Sequence, residues 1–182
     1  MKLMEVYANF QIPRRKVVDP PKCLFDPELG EHKYVYCNSM RIHYVEAGQP
    51  GHPVLIFLHG NPDTWYSWRF QIRYFKKNFR VIALDMRGFG ESSKPTGVDN
   101  MSIELVIDDI RAFVRELRIE KFTLISHDLP TGVIAYTYAG LYPETLSKLV
   151  VCDAPHPTTW NKHGFHGSLL SRFVFKNPDF YI

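Results

Sequence analysis

Residues 126–132 carry the side chains best placed for chemistry. They begin with Ser-His-Asp and follow an apolar, β-branched run at residues 121–125, the pattern of a buried parallel strand. Small and apolar residues then recur at helical spacing over residues 132–142. A strand that turns sharply into a helix lifts one side chain above the sheet edge, near the positive end of the helix. Here that side chain is Asp128, whose carboxylate is ionised at neutral pH and can attack carbon without help from a base.

The residues alone leave two interpretations of this turn open. In the first, it is a nucleophile elbow that carries Asp in place of Ser, a turn that prefers small residues two before and two after the nucleophile. Ser126 meets the first requirement, and Pro130 occupies the second position, where it is tolerated in the first turn of a helix. In the second interpretation, Asp128 merely caps the helix, as Asp commonly does.

Length and composition describe one globular unit. The 182 residues are 45% apolar and 23% charged, and the net charge of +3 is scattered apart from the triplet Arg14, Arg15 and Lys16. This pattern argues against a nucleic-acid partner. Three widely spaced cysteines fit neither a disulfide framework nor a zinc site and favour a reducing, cytoplasmic location. No metal or organic cofactor is implied by the sequence. No apolar run is long enough to span a membrane, although the basic triplet allows weak contact with a membrane surface.

The order of elements predicts an α/β fold with a mostly parallel sheet and flanking helices. Residues 1–30 are rich in proline and are predicted to be an extended segment, after which two strands flank a turn at Asn38 and Ser39. The other predicted elements are strands at residues 54–58, 80–84, 121–125 and 148–152, and helices at residues 65–75, 103–117 and 132–142. Strands that alternate with helices in this way favour a parallel sheet covered on both faces.

Three polar loops follow the carboxyl ends of three of these strands, at the edge where open α/β sheets bind their ligands. The loops are residues 59–62, 85–92 and 128–132. We expect His59 and Gly60 to shape the first loop rather than to contact a substrate. Arg87 and Glu91 are likewise expected to hold the second loop through polar contacts.

Several short motifs lie in and around these loops. They are His59-Gly60-Asn61-Pro62, Trp65-Tyr66-Ser67-Trp68-Arg69 with Gln71, Asp85-x-Arg87-Gly88-x-Gly90-x-Ser92, His127-Asp128, Tyr142-Pro143-Glu144 and Pro155-His156-Pro157. In combination they resemble the epoxide hydrolase branch of the α/β-hydrolase family, particularly the epoxide-hydrolase-like proteins of animals. The resemblance extends from about residue 23 to about residue 160.

The resemblance implies a two-step reaction on a small, apolar, epoxide-type substrate. An Asp carboxylate attacks an epoxide carbon to form a covalent ester, which a His-activated water then hydrolyses. By resemblance, Asp128 is the nucleophile, and the backbone N–H groups of Asn61 and Leu129 form the oxyanion hole. The pocket and its motif would be contributed by His59, Gly60, Pro62, Trp65 and His127.

The resemblance also predicts the domain organisation. Residues 1–30 form the extended N-terminal segment, residues 31–158 the N-terminal part of the hydrolase core, and residues 159–182 the start of the cap. The family places its catalytic His and third acid after the cap, so we expect this chain to be an N-terminal fragment that forms the ester without releasing it. The strand at residues 148–152 would then be an apolar sheet edge, open to self-association.

Two alternatives follow from departures from the family pattern. Asn61 stands where epoxide hydrolases usually have an aromatic residue and where haloalkane dehalogenases commonly carry Asn to bind halide. Dehalogenases also use a side-chain N–H donor directly after the nucleophile, and Leu129 at that position has none. Pro130 and Thr131 stand where the family has Gly. These two residues favour the other alternative, a short paralogue without catalysis that acts as a binding or partner protein.

Overall fold

Six strands of the described part of the chain form one sheet in the order β1-β2-β4-β3-β5-β6. The computed structural model describes residues 19–156 and residue 158. The strands are β1 Glu31–Cys37, β2 Met40–Ala47, β3 Val54–Leu58, β4 Arg80–Leu84, β5 Phe122–His127 and β6 Leu146–Cys152. β2 pairs antiparallel with β1 and β4, whereas β3 pairs parallel with β4 and β5, and β5 pairs parallel with β6. The mostly parallel sheet predicted from the sequence is therefore confirmed.

The connections place helices on both faces of the sheet. They are α1 Arg69–Phe75, preceded by a 3₁₀ turn at Trp65–Trp68, α2 Ile103–Glu116, and α3 Leu129–Leu141. On β3, Ile56 packs in one core cluster with residues of α2 and α3, whereas its neighbour Phe57 packs in a second cluster with Trp68 and residues of α1. This alternation is what a strand buried on both faces requires, because successive side chains point to opposite sides of the sheet.

Residues 22–29 are not extended as the sequence predicted. The segment predicted to be extended over residues 1–30 forms two 3₁₀ turns, Lys22–Phe25 and Pro27–Leu29. Leu29 is only 1% exposed and packs in the core cluster that includes α1, while Arg73 of α1 pairs with the carboxylate of Asp26. The prolines favour turns rather than an extended chain, and burial of Leu29 holds this segment against the core. Residues 1–18 and the predicted cap segment at residues 159–182 lie outside the described residues.

β6 is one edge of the sheet. Its inner side pairs with β5, and no other strand of the described part of the chain pairs with its outer side. Val150 is 43% exposed on this strand. The expected edge is thus present in the described region. Within the same region, none of the helices has the length and apolar character needed to cross a membrane.

Candidate active site

The loops after β3, β4 and β5 meet at the carboxyl edge of the parallel strands. β5 ends at His127 and α3 begins at Leu129, so Asp128 alone makes the turn between them. Its backbone has φ 76° and ψ 158°, a region that is almost reserved for glycine and costs about 1–3 kcal/mol for other residues. An ordinary N-cap residue lies in the β region instead. The strained geometry therefore favours the nucleophile elbow over simple capping.

Two backbone N–H groups hold the carboxylate of Asp128. The N–H of Asn61 donates to Oδ2 at 2.9 Å, and the N–H of Leu129 donates to Oδ1 at 2.7 Å. Gly60 allows this approach, because a Cβ at that position would lie 2.7 Å from the Cβ of Asp128. The first and third loops are therefore in direct contact, with two N–H donors converging on one carboxylate.

Two of the residues that depart from the family pattern, Pro130 and Thr131, fit this turn. Pro130 lies in the first turn of α3, where its missing N–H would have no partner within the helix. Thr131 is 1% exposed, and its Oγ1 donates to the carbonyl oxygen of His59 at 2.9 Å. Gly132 gives α3 and the end of β6 their close contact, because a Cβ there would lie 2.3 Å from that of Ala154. The sequence did not point to this role for Thr131, since the hydrogen bond depends on tertiary structure.

The loop after β4 supports the site without contacting the Asp128 carboxylate. Asp85 is 1% exposed and accepts the backbone N–H groups of Trp65 and Glu91, each at 2.9 Å. Burial alone would raise the pKa of Asp85, but hydrogen bonds from His43 and from these N–H groups outweigh it and hold the pKa below 3.8. The Nε and Nη2 of Arg87 donate to the two carboxylate oxygens of Asp109 on α2, at 2.6 and 2.8 Å. These contacts match the structural role expected of Arg87 and Glu91.

The remaining pocket candidates fall into two groups. His127 and Pro62 are exposed beside the turn, and the His127 ring lies edge-on to Trp68 with 6.4 Å between centroids. His59 and Trp65 are instead buried, at 0% and 3% exposure, so neither lines an open pocket. Tertiary packing turns both side chains into the core beneath the loops, which fits the expectation that His59 shapes the first loop. A contact of either residue with a substrate stays a prediction.

Comparison with known proteins agrees with this fold. The alpha/beta hydrolase fold family matches residues 53–180. The chain belongs to the α/β-hydrolase family. Human epoxide hydrolase 4 is 44% identical over 157 residues, covering 85% of this chain and 42% of the relative. Epoxide hydrolase 2 of Caenorhabditis elegans is 38% identical over 141 residues, covering 78% of this chain and 39% of the relative.

Solved structures of α/β hydrolases give the same result. An epoxide hydrolase from metagenomes of hot environments superposes with a TM-score of 0.69 at 38% identity, covering 73% of this chain and 45% of the other. An epoxide hydrolase from Vigna radiata has a TM-score of 0.65 at 31% identity, covering 69% of this chain and 39% of the other. The chain thus spans less than half the length of each of these relatives.

His59 is expected to make the stability of this α/β hydrolase depend on pH. Its Nδ1–H donates to the Gly60 carbonyl at 2.7 Å, and its Nε2 accepts the Met86 N–H at 3.1 Å, so the folded ring is neutral. Burial lowers the pKa of His59 below its ordinary value of 6.5. The unfolded chain therefore takes up this proton first, and we expect the free energy of unfolding to fall as pH drops from 6.5 through the lowered value, by at most about 1.4 kcal/mol per pH unit.

Urea unfolding between pH 7.5 and 5.0 measures this effect. His59→Gln keeps a donor and an acceptor but has no titrating group, so it should flatten the slope relative to the unmodified chain. A control, His156→Gln, removes an exposed histidine and should leave the slope unchanged. If the free energy of unfolding depends on pH with the same slope in His59→Gln and in the unmodified chain, His59 is not the group responsible.

Proposed function

We propose that this chain forms a covalent ester between Asp128 and an epoxide. The observation that carries the proposal is the Asp128 carboxylate, held in a strained elbow by the N–H groups of Asn61 and Leu129. A carboxylate oxygen attacks a ring carbon, the ring C–O bond breaks, and the resulting alkoxide takes a proton from water. The product is a hydroxyalkyl ester of Asp128, and no atom of the epoxide is lost.

These N–H groups also matter for the second step: they donate to different carboxylate oxygens, so one of them lies on the oxygen that remains the ester carbonyl. When water attacks the ester carbonyl, negative charge develops on the carbonyl oxygen of Asp128, and preorganised donors stabilise that charge. One such donor contributes about 10²–10³ in rate in well-studied cases. Because both donors are backbone N–H groups, substitution of the side chain at Asn61 or Leu129 should preserve the oxyanion hole as long as the turn keeps its shape.

Hydrolysis of the ester is the step for which this chain lacks support among its described residues. The hydrogen bonds to the Asp128 carboxylate, among the described residues, come from backbone N–H groups and not from an imidazole. Hydrolysis in the family mechanism needs a His-activated water. We therefore expect the ester to accumulate at one per chain rather than to turn over, and sustained release of a diol would contradict this part of the proposal.

Epoxide is the substrate class we favour over a haloalkane. The four relatives compared above are named as epoxide hydrolases. The dehalogenase alternative rests on Asn61, an exposed residue whose backbone N–H already contacts Asp128. Its neighbour at the elbow, Leu129, has no side-chain donor for a departing halide.

Intact mass spectrometry tests the proposal and separates the two substrates. Incubation with styrene oxide should increase the mass of the full chain by the whole epoxide, whereas a bromoalkane ester would add only the alkyl group and release bromide. Hydroxylamine should remove an ester adduct but leave a cysteine thioether intact, which controls for alkylation of exposed Cys23 or Cys152. Absence of any hydroxylamine-sensitive adduct would favour a non-catalytic binding protein.

The outer edge of β6 is also proposed to drive self-association. An edge strand with unpaired backbone groups and apolar side chains is a template for pairing with a second copy. Val150→Lys places a charge on this strand and should raise the monomer fraction in sedimentation velocity several-fold. Phe70→Lys is the matched control, because Phe70 is 60% exposed on α1, away from the sheet edge. An equal effect of both substitutions, or a wild-type monomer, would contradict the proposal.

A further inference from the structure

Two histidines on neighbouring antiparallel strands face each other at the other end of the sheet from β6. His32 lies on β1 and His43 on β2, and the Nδ1 of His32 is 2.9 Å from the Nε2 of His43. His43 is completely buried, whereas His32 is half-buried. Neither belongs to the turn at Asp128, which lies at the end of β5.

The outer nitrogens of the pair fix where the protons lie. The Nε2 of His32 is 2.8 Å from the Leu24 carbonyl oxygen, and the Nδ1 of His43 is 2.7 Å from the Asp85 carboxylate. A carbonyl and an ionised carboxylate can only accept, so both outer nitrogens carry hydrogen. If both rings are neutral, each inner nitrogen then presents a lone pair, and two lone pairs face each other at 2.9 Å. The arrangement is favourable only when a cation lies between or beside these nitrogens.

A third ligand stands next to the two inner nitrogens. A carboxylate oxygen of Glu91, the Nδ1 of His32 and the Nε2 of His43 all lie within 4.8 Å of one another. Glu91 is exposed and accepts a hydrogen bond from the Tyr34 hydroxyl, so the cluster opens to solvent on this side. Arg41 is the nearby cation, and its guanidinium lies over the Tyr34 ring and donates to the Glu91 backbone carbonyl.

The surroundings match those of bound metals in proteins. A histidine that binds a metal almost always donates its other N–H to a carboxylate or a carbonyl, which fixes the ring and raises its basicity. His43 has Asp85 in this role and His32 has the Leu24 carbonyl. Two imidazoles and a carboxylate are a donor set that suits first-row divalent metals.

We propose that His32, His43 and Glu91 bind a divalent transition-metal ion, with water completing its coordination. The two inner nitrogens are 2.9 Å apart. If each is bound to the metal at about 2.0–2.1 Å, the angle between the two bonds at the metal is about 90°. That angle suits square-planar or octahedral ions such as Cu²⁺ and Ni²⁺ better than tetrahedral Zn²⁺. The ion joins β1, β2, the loop after β4 and, through Leu24, the first 3₁₀ turn, so its role would be structural and independent of Asp128.

Copper binding to the untagged full chain tests the site. Equilibrium dialysis at pH 8 should give one Cu²⁺ bound with an affinity at least about 100-fold higher than that of His32→Gln, and Glu91→Gln should weaken binding by about 10–100-fold. Electron paramagnetic resonance should show coupling to two nitrogens in the unmodified chain and to one in His32→Gln. Affinity should fall at pH 6, because only an imidazole nitrogen that carries no proton can bind a metal.

Two controls separate this site from other histidines. His156→Gln and the double substitution His163→Gln/His166→Gln should leave both the affinity and the two-nitrogen spectrum unchanged. Ni²⁺ should compete for the same site and raise the midpoint of thermal unfolding in the unmodified chain but not in His32→Gln. The proposal would be overturned if His32→Gln and Glu91→Gln did not weaken binding, or if the spectrum of the unmodified chain showed no coupling to two nitrogens. It would also be overturned if the histidine pair held a proton and bound no metal.

Discussion

Asp128→Asn should abolish formation of the epoxide adduct. The amide has nearly the same shape as the carboxylate but is not a nucleophile, and its NH₂ group would face a backbone N–H that now donates to a carboxylate oxygen. We expect the rate of adduct formation to fall by at least about 10³-fold, equivalent to about 4 kcal/mol in the barrier. The measurement is the time course of intact mass at a fixed concentration of styrene oxide.

Asp63→Asn is the matched control for this experiment. Asp63 is an exposed carboxylate in the adjoining loop, where it accepts the Thr64 N–H. If the adduct arises from general alkylation of surface carboxylates, the two substitutions should reduce it equally. If Asp128 is the nucleophile, the rate with Asp63→Asn should match that of the unmodified chain. Persistence of the hydroxylamine-sensitive adduct in Asp128→Asn would show that the nucleophile lies elsewhere.

Arg87→Ala should cause the largest loss of stability. The guanidinium is 5% exposed and makes two hydrogen bonds to Asp109, with a third to the Asn100 carbonyl at 2.8 Å. Removing it leaves Asp109 buried without its counter-charge, which costs about 3–5 kcal/mol in comparable buried pairs. Urea unfolding followed by tryptophan fluorescence measures the difference, since Trp65 and Trp68 are both buried.

Two further variants identify the cause of that loss. Arg115→Ala removes an exposed arginine from the same helix that carries Asp109 and should leave the free energy of unfolding unchanged within error. The double substitution Arg87→Met/Asp109→Leu removes both charges and should recover most of the stability, because apolar replacements of a buried pair are often neutral. A double variant as unstable as Arg87→Ala would mean that lost packing, not the unpaired charge, dominates.

Much of the fold could be predicted because local patterns agree with tertiary structure there. The apolar run at β3 is buried on both faces, and the periodic helix predicted at residues 103–117 is observed as α2 Ile103–Glu116. The first predicted turn, at Asn38 and Ser39, has the positive φ values that a two-residue hairpin needs. In each case one short window of sequence contains the whole cause of the structure.

The rest depended on residues that are distant in sequence. The burial of Leu29 requires a core formed by later elements, so a proline-rich segment was predicted to be extended when it forms turns. Thr131 is hydrogen-bonded to His59, which lies 72 positions earlier in the chain. His32 meets His43 because the strand register aligns His32 with Val45 and Tyr34 with His43, which makes the two histidines diagonal neighbours. The elbow was predicted from its neighbours, but the positive φ of Asp128 emerged only with the structure.

The site of covalent attachment tests the central proposal most directly. After incubation with styrene oxide, trypsin should release residues 122–148 as a single peptide, because Lys121 precedes it and no Lys or Arg interrupts it before Lys148. Tandem mass spectrometry should place a hydroxylamine-sensitive adduct of the full epoxide mass on Asp128. An adduct confined to other residues, or an unmodified peptide when the intact chain is modified, would contradict Asp128 as the nucleophile.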